Sequence, residues 1–363
     1  MLAEIFHKYR ESYLDRYGQR ILPSHRRALS DIVDCRTKAL GGQVFQCVQC
    51  GKHHYAYHSC RNRSCPQCHG AQTQEWLNTR RQELLPVTYF HLVFTLPKEL
   101  RDLVRTHQEL LLSALMRAAS HALMKLARDP RYLGGKIGLL AVLHTWTRAM
   151  VYHPHVHCLV PGGALSPDGR WLAARKTFLV PVTALTKIFR AKFMKLARNA
   201  LPDVKFPSSV WNTPWVVYAK PSVQGAEKVL RYLARYVHRI AITNNRILSV
   251  ENERVSFRYQ DSRDRRWKTM TLTALEFMRR FLQHVLPRGF HKARYYGLLA
   301  PANRHQLEKI KTLLPDPNAQ LEASPGTIST ESPPSGDPFR CPYCATGTLV
   351  WVARIFPCGR SPP

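Results

Sequence analysis

The spacing of apolar residues separates a helical start from a polar segment and from a longer region of strands and helices. Apolar residues recur every four positions from Ile5 to Tyr17, with charges between them, which predicts helices over residues 1–40. Residues 41–70 lose this period and are rich in Cys and His. The uninterrupted apolar stretch 87–96, bounded by prolines, predicts a buried strand.

Downstream, the same patterns predict alternating strands and helices, followed by a linker. Strands are predicted at 138–146 and 156–160, a hairpin at 246–260, and helices at 98–128, 181–199, 224–239 and 273–285. Pro, Ser, Thr and Gly dominate residues 315–338, a composition typical of a flexible linker. We therefore predict four segments, which are a helical and Cys-rich domain (1–85), a larger mixed domain (86–312), a flexible linker (313–340) and a short Cys-containing tail (341–363).

The charge balance indicates a polyanionic partner. The chain of 363 residues contains 54 Lys and Arg against 24 Asp and Glu, a formal net charge of +30, while 45% of its residues are hydrophobic. This composition describes a folded protein with a strongly positive field, and nucleic acid is the commonest polyanion. An anionic membrane surface is the alternative.

Neither a targeting segment nor a membrane span is expected. Met1–Arg10 carries charges and no apolar core, and the apolar runs are shorter than the ~18 residues that a spanning helix needs. We therefore expect a soluble cytoplasmic protein with no membrane partner. Its ten cysteines then need an explanation other than disulfides, which are rare in that compartment.

Two C-x-x-C pairs in the polar segment indicate a structural zinc site. Cys47 and Cys50 are separated by a short loop from Cys65 and Cys68, and four thiolates at ~2.3 Å complete a tetrahedron around one ion. Cys60 is left over in this grouping. A segment this short cannot form its own core, so the metal would supply its folding energy. Free or redox-active thiols are the alternative.

Five further cysteines lie outside these two pairs and Cys60. Cys341 and Cys344 form a third pair with only Cys358 nearby in the sequence, which leaves open a three-ligand site, a shared site or no metal. Cys35 and Cys158 are expected to pack as small apolar residues.

The most informative stretch contains a histidine pair. On a strand, His155 and His157 project from one face, while the apolar residues that alternate with them project from the other. Two adjacent imidazoles form half of a metal site, and His144 on the preceding strand is the first candidate for the third ligand, ahead of His91 and His153. Three protein ligands leave positions open for substrate oxygens. Histidines that only pack are the alternative.

A predicted helix carries two tyrosines one turn apart. Tyr232 and Tyr236 fall on the border between an apolar sector and a cationic sector. The candidate DNA-binding residues are those of the cationic sector, Lys228, Arg231, Arg235 and Arg239, together with Arg61 and Arg63 between the first two cysteine pairs. Tyrosine hydroxyls beside such cations are placed to attack a phosphodiester. Packing tyrosines and a solvated rim of cations are the alternatives.

These features together resemble the rolling-circle, two-tyrosine transposases of bacterial insertion sequences, which belong to the HUH endonuclease class. His155-Val156-His157 matches the histidine–hydrophobic–histidine motif, the tyrosine pair matches the paired nucleophiles, and the first two cysteine pairs resemble the family's amino-terminal zinc-binding domain. Thr147-Arg148 is a departure, because Gly-Gln often stands there in the family. The resemblance implies an α+β fold with an HUH-like antiparallel sheet and flanking helices, preceded by a small zinc-binding domain.

The resemblance also implies an activity. Mg²⁺ or Mn²⁺ would be held by His144, His155 and His157, and Zn²⁺ by the amino-terminal cysteines. One tyrosine would cleave single-stranded DNA at an element end through a 5′-phosphotyrosine link, and the freed 3′-hydroxyl would be extended by the host replication machinery. The second tyrosine would allow another cleavage. The expected setting is the bacterial cytoplasm, at the nucleoid.

Two alternative functions involve DNA. A replication initiator or relaxase would use the same chemistry, but the amino-terminal zinc module favours a transposase. A non-catalytic zinc-containing DNA-binding protein would explain the charge and the cysteines, but it would leave the histidine and tyrosine pairs without a role. A third, more distant alternative is a metallohydrolase that uses His144, His155 and His157 on small substrates, but it would have no use for a net charge of +30.

Overall fold

A computed structural model of the chain describes residues 1–68, 70–175, 177–221, 225–237, 241–261, 263–314, 339–344 and 346–358. The helices within these ranges are α1 (Leu2–Tyr17), α2 (Pro23–Asp34), α3 (Gly70–Arg81), α4 (Arg101–Thr106), α5 (Gln108–Ala127), α6 (Val182–Ala200), α7 (Gly225–Val237), α8 (Ala274–Leu282) and α9 (Arg304–Leu313). The strands are β1 (Gly42–Cys47), β2 (His53–Tyr57), β3 (Tyr89–Thr95), β4 (Gly138–Trp146), β5 (Tyr152–Pro161), β6 (Gly163–Leu165), β7 (Trp171–Ala173), β8 (Val216–Pro221), β9 (Ile247–Glu251), β10 (Arg254–Gln260), β11 (Trp267–Thr273), β12 (Ala293–Gly297) and β13 (Leu349–Ile355).

The chain divides into two compact units, and the second is inserted within the sequence of the first. The first unit comprises Met1–Gly70 and Gln320–Pro363, and the second comprises Ala71–Ala319. The sequence set 341–363 apart as a tail, whereas the structure groups it with the amino-terminal residues.

The first unit contains a helix pair, in which α1 packs on α2, and a small sheet. The four-residue period predicted from the sequence places Ile5, Tyr9 and Tyr13 in the interior of the unit. The sheet has the order β13-β1-β2, and both pairings are antiparallel. Because β1 is the central strand, the carboxyl-terminal strand β13 completes the fold of this unit.

The second unit is built on a five-stranded antiparallel sheet of order β12-β4-β5-β3-β8. Its three inner strands correspond to the strands predicted at 87–96, 138–146 and 156–160. The predicted mixture of helices with an antiparallel sheet is therefore confirmed.

One face of this sheet forms the main hydrophobic core. Alternate residues of the inner strands, such as Leu92, Leu143 and Cys158, are fully buried there against α5 and α6. Cys158 thus packs as a small apolar residue, as expected. Helix α5 is long and apolar enough to cross a membrane, but 67% of its most apolar window is buried within the protein. It is the central helix of this core.

The other face of the sheet is covered by α7. Leu230, Leu233 and Ala234 of this helix pack in a smaller cluster with residues of β4 and β5, among them Val142 and Leu159. Since residues two apart on a strand share a face, this is also the face from which the predicted metal ligands project.

A separate three-stranded sheet, β11-β10-β9, lies in the same unit next to α8. The hairpin predicted at 246–260 forms its strands β9 and β10, and Phe257 of β10 is buried against Phe277 of α8. The turn between β10 and β11, which follows Gln260, carries several arginines.

Candidate metal and nucleic-acid site

Three histidines converge on the sheet face that α7 covers. Strand pairing sets His144 directly opposite His155, and Val142 opposite His157. The ligand atoms of His144, His155 and His157 all lie within 4.8 Å of one another. The structure therefore brings together the three residues that the sequence predicted as a metal site.

Hydrogen bonds fix the rings of two of these histidines. The Nδ1 atom of His155 lies 2.6 Å from the backbone oxygen of His153, to which it can donate. The Nδ1 atom of His157 lies 2.8 Å from the Nε2 atom of His91. When Nδ1 carries the proton in each ring, Nε2 keeps its lone pair for a metal ion, which is the usual arrangement of ligating histidines.

The other two candidates for the third ligand have different partners. His91 contacts His157 rather than joining the group of three. The Nδ1 atom of His153 lies 2.9 Å from a guanidinium nitrogen of Arg101. The geometry thus favours His144 as the third candidate ligand, while His91 is in contact with the candidate ligand His157.

Burial keeps the site neutral. It lowers the pKa of His155 to about 4 and lowers the pKa values of His144 and His157 well below the usual value for histidine. Only neutral imidazole binds a metal. The three rings are therefore in the metal-binding form at neutral pH.

A cleft of about 880 Å³ opens over the histidines. Besides the three ligand candidates, it is lined by Arg148 from the β4–β5 loop and by Tyr259, Gln260, Arg263 and Arg265 at the tip of the β10–β11 hairpin. Arg148 donates to the side-chain oxygen of Gln260, which links the two loops. The cleft therefore places cationic and aromatic side chains, of the kind that contact nucleic acid, beside the three candidate metal ligands.

The sequence alone indicates only weakly that Arg148 and the hairpin tip belong to this site. The hairpin tip appears there only as a basic stretch, and its approach to the histidines depends on a long-range contact. The sequence indicates His91 as a possible ligand only because it is a histidine on a predicted strand. Its contact with His157 follows from the pairing of β3 with β5.

Tyr232 and Tyr236 lie on α7, the helix packed on the histidine face. Their side chains, and that of Arg235, are outside the described part of the structure, as is Arg239 altogether. Lys228 and Arg231 are exposed, as the predicted cationic sector requires, and Arg231 forms an ion pair of 2.8 Å with Glu227. In the amino-terminal unit, Arg61 is exposed and Arg63 is partly buried, which lowers the pKa of its guanidinium.

The predicted grouping of cysteines is wrong. The sequence placed Cys47, Cys50, Cys65 and Cys68 around one ion, but the structure divides these two pairs between two clusters. One cluster contains Cys35, Cys60, Cys65 and Cys68, and the other contains Cys47, Cys50, Cys341 and Cys344. Each cluster has four sulfur atoms within 4.8 Å of one another.

The physical reason is that a C-x-x-C spacing fixes which two thiols act together but not which pairs share an ion. Cys35, expected to pack as an apolar residue, and Cys60, expected to be left over, complete the first cluster. Cys341 and Cys344 reach the second cluster because β13 pairs with β1. Cys358, considered as their partner, is exposed and belongs to neither cluster.

Known families match both units of this chain. Residues 5–96 match the family described as "Transposase zinc-binding domain", and residues 138–306 match the family described as "Putative transposase". The first range contains the amino-terminal cysteine pairs, and the second contains the three histidines and α7.

Two relatives match over most of their lengths. The chain is 39% identical to "Putative transposase y4qJ" of Sinorhizobium fredii (strain NBRC 101917 / NGR234), with 100% of the chain and 97% of the relative covered. It is 28% identical to the transposase for insertion sequence element IS801 of Pseudomonas savastanoi pv. phaseolicola, with 90% of the chain and 83% of the relative covered. The chain belongs to the IS91/IS801 family of insertion-sequence transposases.

Among solved structures, the conjugative relaxase TrwC in complex with oriT DNA, in its metal-bound form, is similar to part of this transposase. The similarity covers 34% of the transposase and 47% of the relaxase chain, at 17% identity and a TM-score of 0.26.

The family assigns the general function of the two units. The transposase has an amino-terminal zinc-binding domain, in keeping with its cysteine clusters, and it is a DNA-transposition enzyme. The resemblance recognised in the sequence is thus confirmed.

Proposed function

We propose that this transposase nicks and joins single-stranded DNA at the ends of its element, in rolling-circle transposition. Tyr232 and Tyr236 are the nucleophiles, and a divalent cation, Mg²⁺ or Mn²⁺, is held by His144, His155 and His157. The observation that carries the proposal is the position of α7, the helix with both tyrosines, on the same face of the sheet as the three histidines.

The donor set of the site suits a divalent cation. Three buried, neutral imidazoles provide lone pairs without net charge, and three protein ligands would leave the ion able to accept substrate oxygens. A divalent cation bound there would supply Lewis-acid polarisation of the scissile phosphate and offset its charge.

The protein residues then account for the covalent step. The phenolic oxygen of one tyrosine attacks phosphorus and forms a P–O bond, while its proton passes to water. The bond from phosphorus to the 3′-oxygen breaks, and that oxygen takes up a proton to become a 3′-hydroxyl. The 5′ side of the DNA remains as a phosphotyrosine ester, so no external energy source is needed for rejoining. A second tyrosine allows another strand to be cleaved before the first is released.

The cleft provides the path for the strand. Arg148, Arg263 and Arg265 line it next to the histidines, and Lys228 and Arg231 add exposed cations on α7. Arg235, Arg239, Arg61 and Arg63 are proposed as further contacts with the DNA backbone. The freed 3′-hydroxyl would be a primer for the host replication machinery in the bacterial cytoplasm, at the nucleoid.

A nicking assay on labelled single-stranded oligonucleotides that carry the element ends tests this function. The variant with His155→Ala and His157→Ala should lose cleavage in Mg²⁺ or Mn²⁺ and still fold, whereas the exposed control His305→Ala should cleave as the wild type does. Cleavage by the double variant at the wild-type rate would refute the assignment of the metal ligands.

A further inference from the structure

The carboxyl-terminal cysteine pair lies next to the first amino-terminal pair, where β1 ends and its neighbour β13 begins. The sulfur atoms of Cys47 and Cys344 are 3.7 Å apart, and so are those of Cys50 and Cys341. Bonded sulfurs in a disulfide would be separated by about 2.05 Å. Two thiolates on a tetrahedral zinc ion, each at about 2.3 Å from the metal, are separated by about 3.8 Å, which is the spacing observed.

Backbone geometry supports the same interpretation. The backbone N–H of Cys50 donates to the sulfur of Cys47, and that of Tyr343 donates to the sulfur of Cys341, each at 3.4 Å. Donors of this kind stabilise thiolates, the form that binds metal. In both pairs, therefore, a backbone N–H of the C-x-x-C segment is directed at the sulfur of the first cysteine.

The two pairs lie too close to Gly347 for a side chain at that position. A Cβ atom on Gly347 would lie 2.2 Å from the sulfur of Cys47 and 2.9 Å from that of Cys344. The backbone N–H of Thr348 donates to the side-chain oxygen of Gln49 at 3.1 Å, which joins the loop of one pair to the loop of the other.

We propose that the transposase binds a second zinc ion through Cys47, Cys50, Cys341 and Cys344, in addition to one held by Cys35, Cys60, Cys65 and Cys68. The matched zinc-binding domain, residues 5–96, contains all four ligands of the first ion but only half of those of the second. This inference does not depend on the proposed DNA chemistry.

The second ion closes a large loop of chain. Its ligands Cys50 and Cys341 are 291 positions apart, and the whole inserted unit, Ala71–Ala319, lies between them. A cross-link over such a distance removes conformational entropy from the unfolded chain. The zinc ion therefore holds the carboxyl-terminal strand against β1 and completes the zinc-binding domain from the far end of the sequence.

Zinc content per chain is the direct test, measured by elemental mass spectrometry on the purified full-length protein. The wild type should contain two zinc ions, and the variant with Cys341→Ser and Cys344→Ser should contain one. Cys358→Ser, which removes a cysteine outside both clusters, should retain two. One ion in the wild type, or two in the double variant, would overturn the proposal.

The reactivity of the cysteines in the wild type tests the second site even if the double variant does not fold. In the zinc-loaded protein, iodoacetamide should modify Cys358 quickly and Cys341 and Cys344 slowly, as mapped by peptide mass spectrometry. A strong zinc chelator should make all three react. Equal rates at the three cysteines before chelation would contradict the second site. Gly347→Ala, which keeps every ligand, should weaken retention of one zinc ion against a chelator, and unchanged retention would also contradict it.

Discussion

The Nδ1 atom of His157 lies 2.8 Å from the Nε2 atom of His91, and the two rings are stacked at 5.1 Å between centroids. His91 belongs to β3 and His157 to β5, so the pairing of two strands sets the orientation of a metal ligand candidate. When Nδ1 of His157 donates in this contact, Nε2 is the nitrogen of His157 that would bind the ion.

His91→Phe should therefore weaken metal binding without removing a ligand. Loss of a hydrogen-bond partner behind a ligating histidine typically costs 10–100-fold in metal affinity, and we expect a loss of about that size for Mn²⁺. His91→Gln, whose amide oxygen can accept the same hydrogen bond, should lose less. Isothermal titration with Mn²⁺ and the Mn²⁺ dependence of nicking measure the effect. An unchanged affinity in His91→Phe would show that the contact has no role in orienting His157.

Leu233→Ala tests the docking of α7 on the histidine face. The side chain is fully buried in the cluster between α7 and the sheet, so the free energy of unfolding should fall by about 2–5 kcal/mol. DNA cleavage should fall as well, because α7 carries the proposed nucleophiles. Leu110→Ala, at a position 46% exposed on α5, should change stability by less than about 0.5 kcal/mol. Urea denaturation measures the stability of the two variants, and the nicking assay measures their DNA cleavage. Equal stability of Leu233→Ala and Leu110→Ala would contradict the docking of α7 on the sheet.

The hairpin tip should contribute to DNA affinity through charge. Replacement of Arg263 and Arg265 by Gln should weaken binding of a single-stranded oligonucleotide and make it less dependent on salt. Each lost phosphate contact reduces the magnitude of the slope of log affinity against log salt by about 0.7 for single strands. The slope of the double variant should therefore be smaller in magnitude by about 1.4. Fluorescence anisotropy at several salt concentrations measures the slope. Arg131→Gln, at an exposed arginine paired with Asp129 outside the cleft, is the control, and an equal effect there would contradict a specific role for the tip.

The histidine site could be predicted because its three residues are close together in the sequence. The alternation of residues on one strand puts His155 and His157 on the same face, and the short connection to the preceding strand brings His144 opposite. The edge strands β8 and β12 were missed because they have no run of buried apolar residues, since β8 has a single buried residue and every residue of β12 is half-buried. β8 also ends in Pro221, which masks its strand character.

The zinc ligands could not be grouped from the sequence, for a different reason. Cys47 and Cys50 are closer in sequence to Cys65 and Cys68 than to Cys341 and Cys344. The short loop between the first two pairs therefore favoured the wrong grouping. The pairing of β1 with β13 overrides that proximity. Cys35 follows α2 directly, and nothing in its own sequence context distinguishes a ligand from a packed residue.

The central claim, cleavage by a tyrosine of α7, is tested most directly by trapping the covalent product. Wild-type transposase incubated with Mn²⁺ and a single-stranded element end should give a DNA adduct that peptide mass spectrometry maps to Tyr232 or Tyr236. The variant with Tyr232→Phe and Tyr236→Phe should give none, while Tyr259→Phe, which changes a tyrosine lining the cleft, should still form it. An adduct that persists in the double variant, or cleavage by the wild type with no adduct at either tyrosine, would contradict the account.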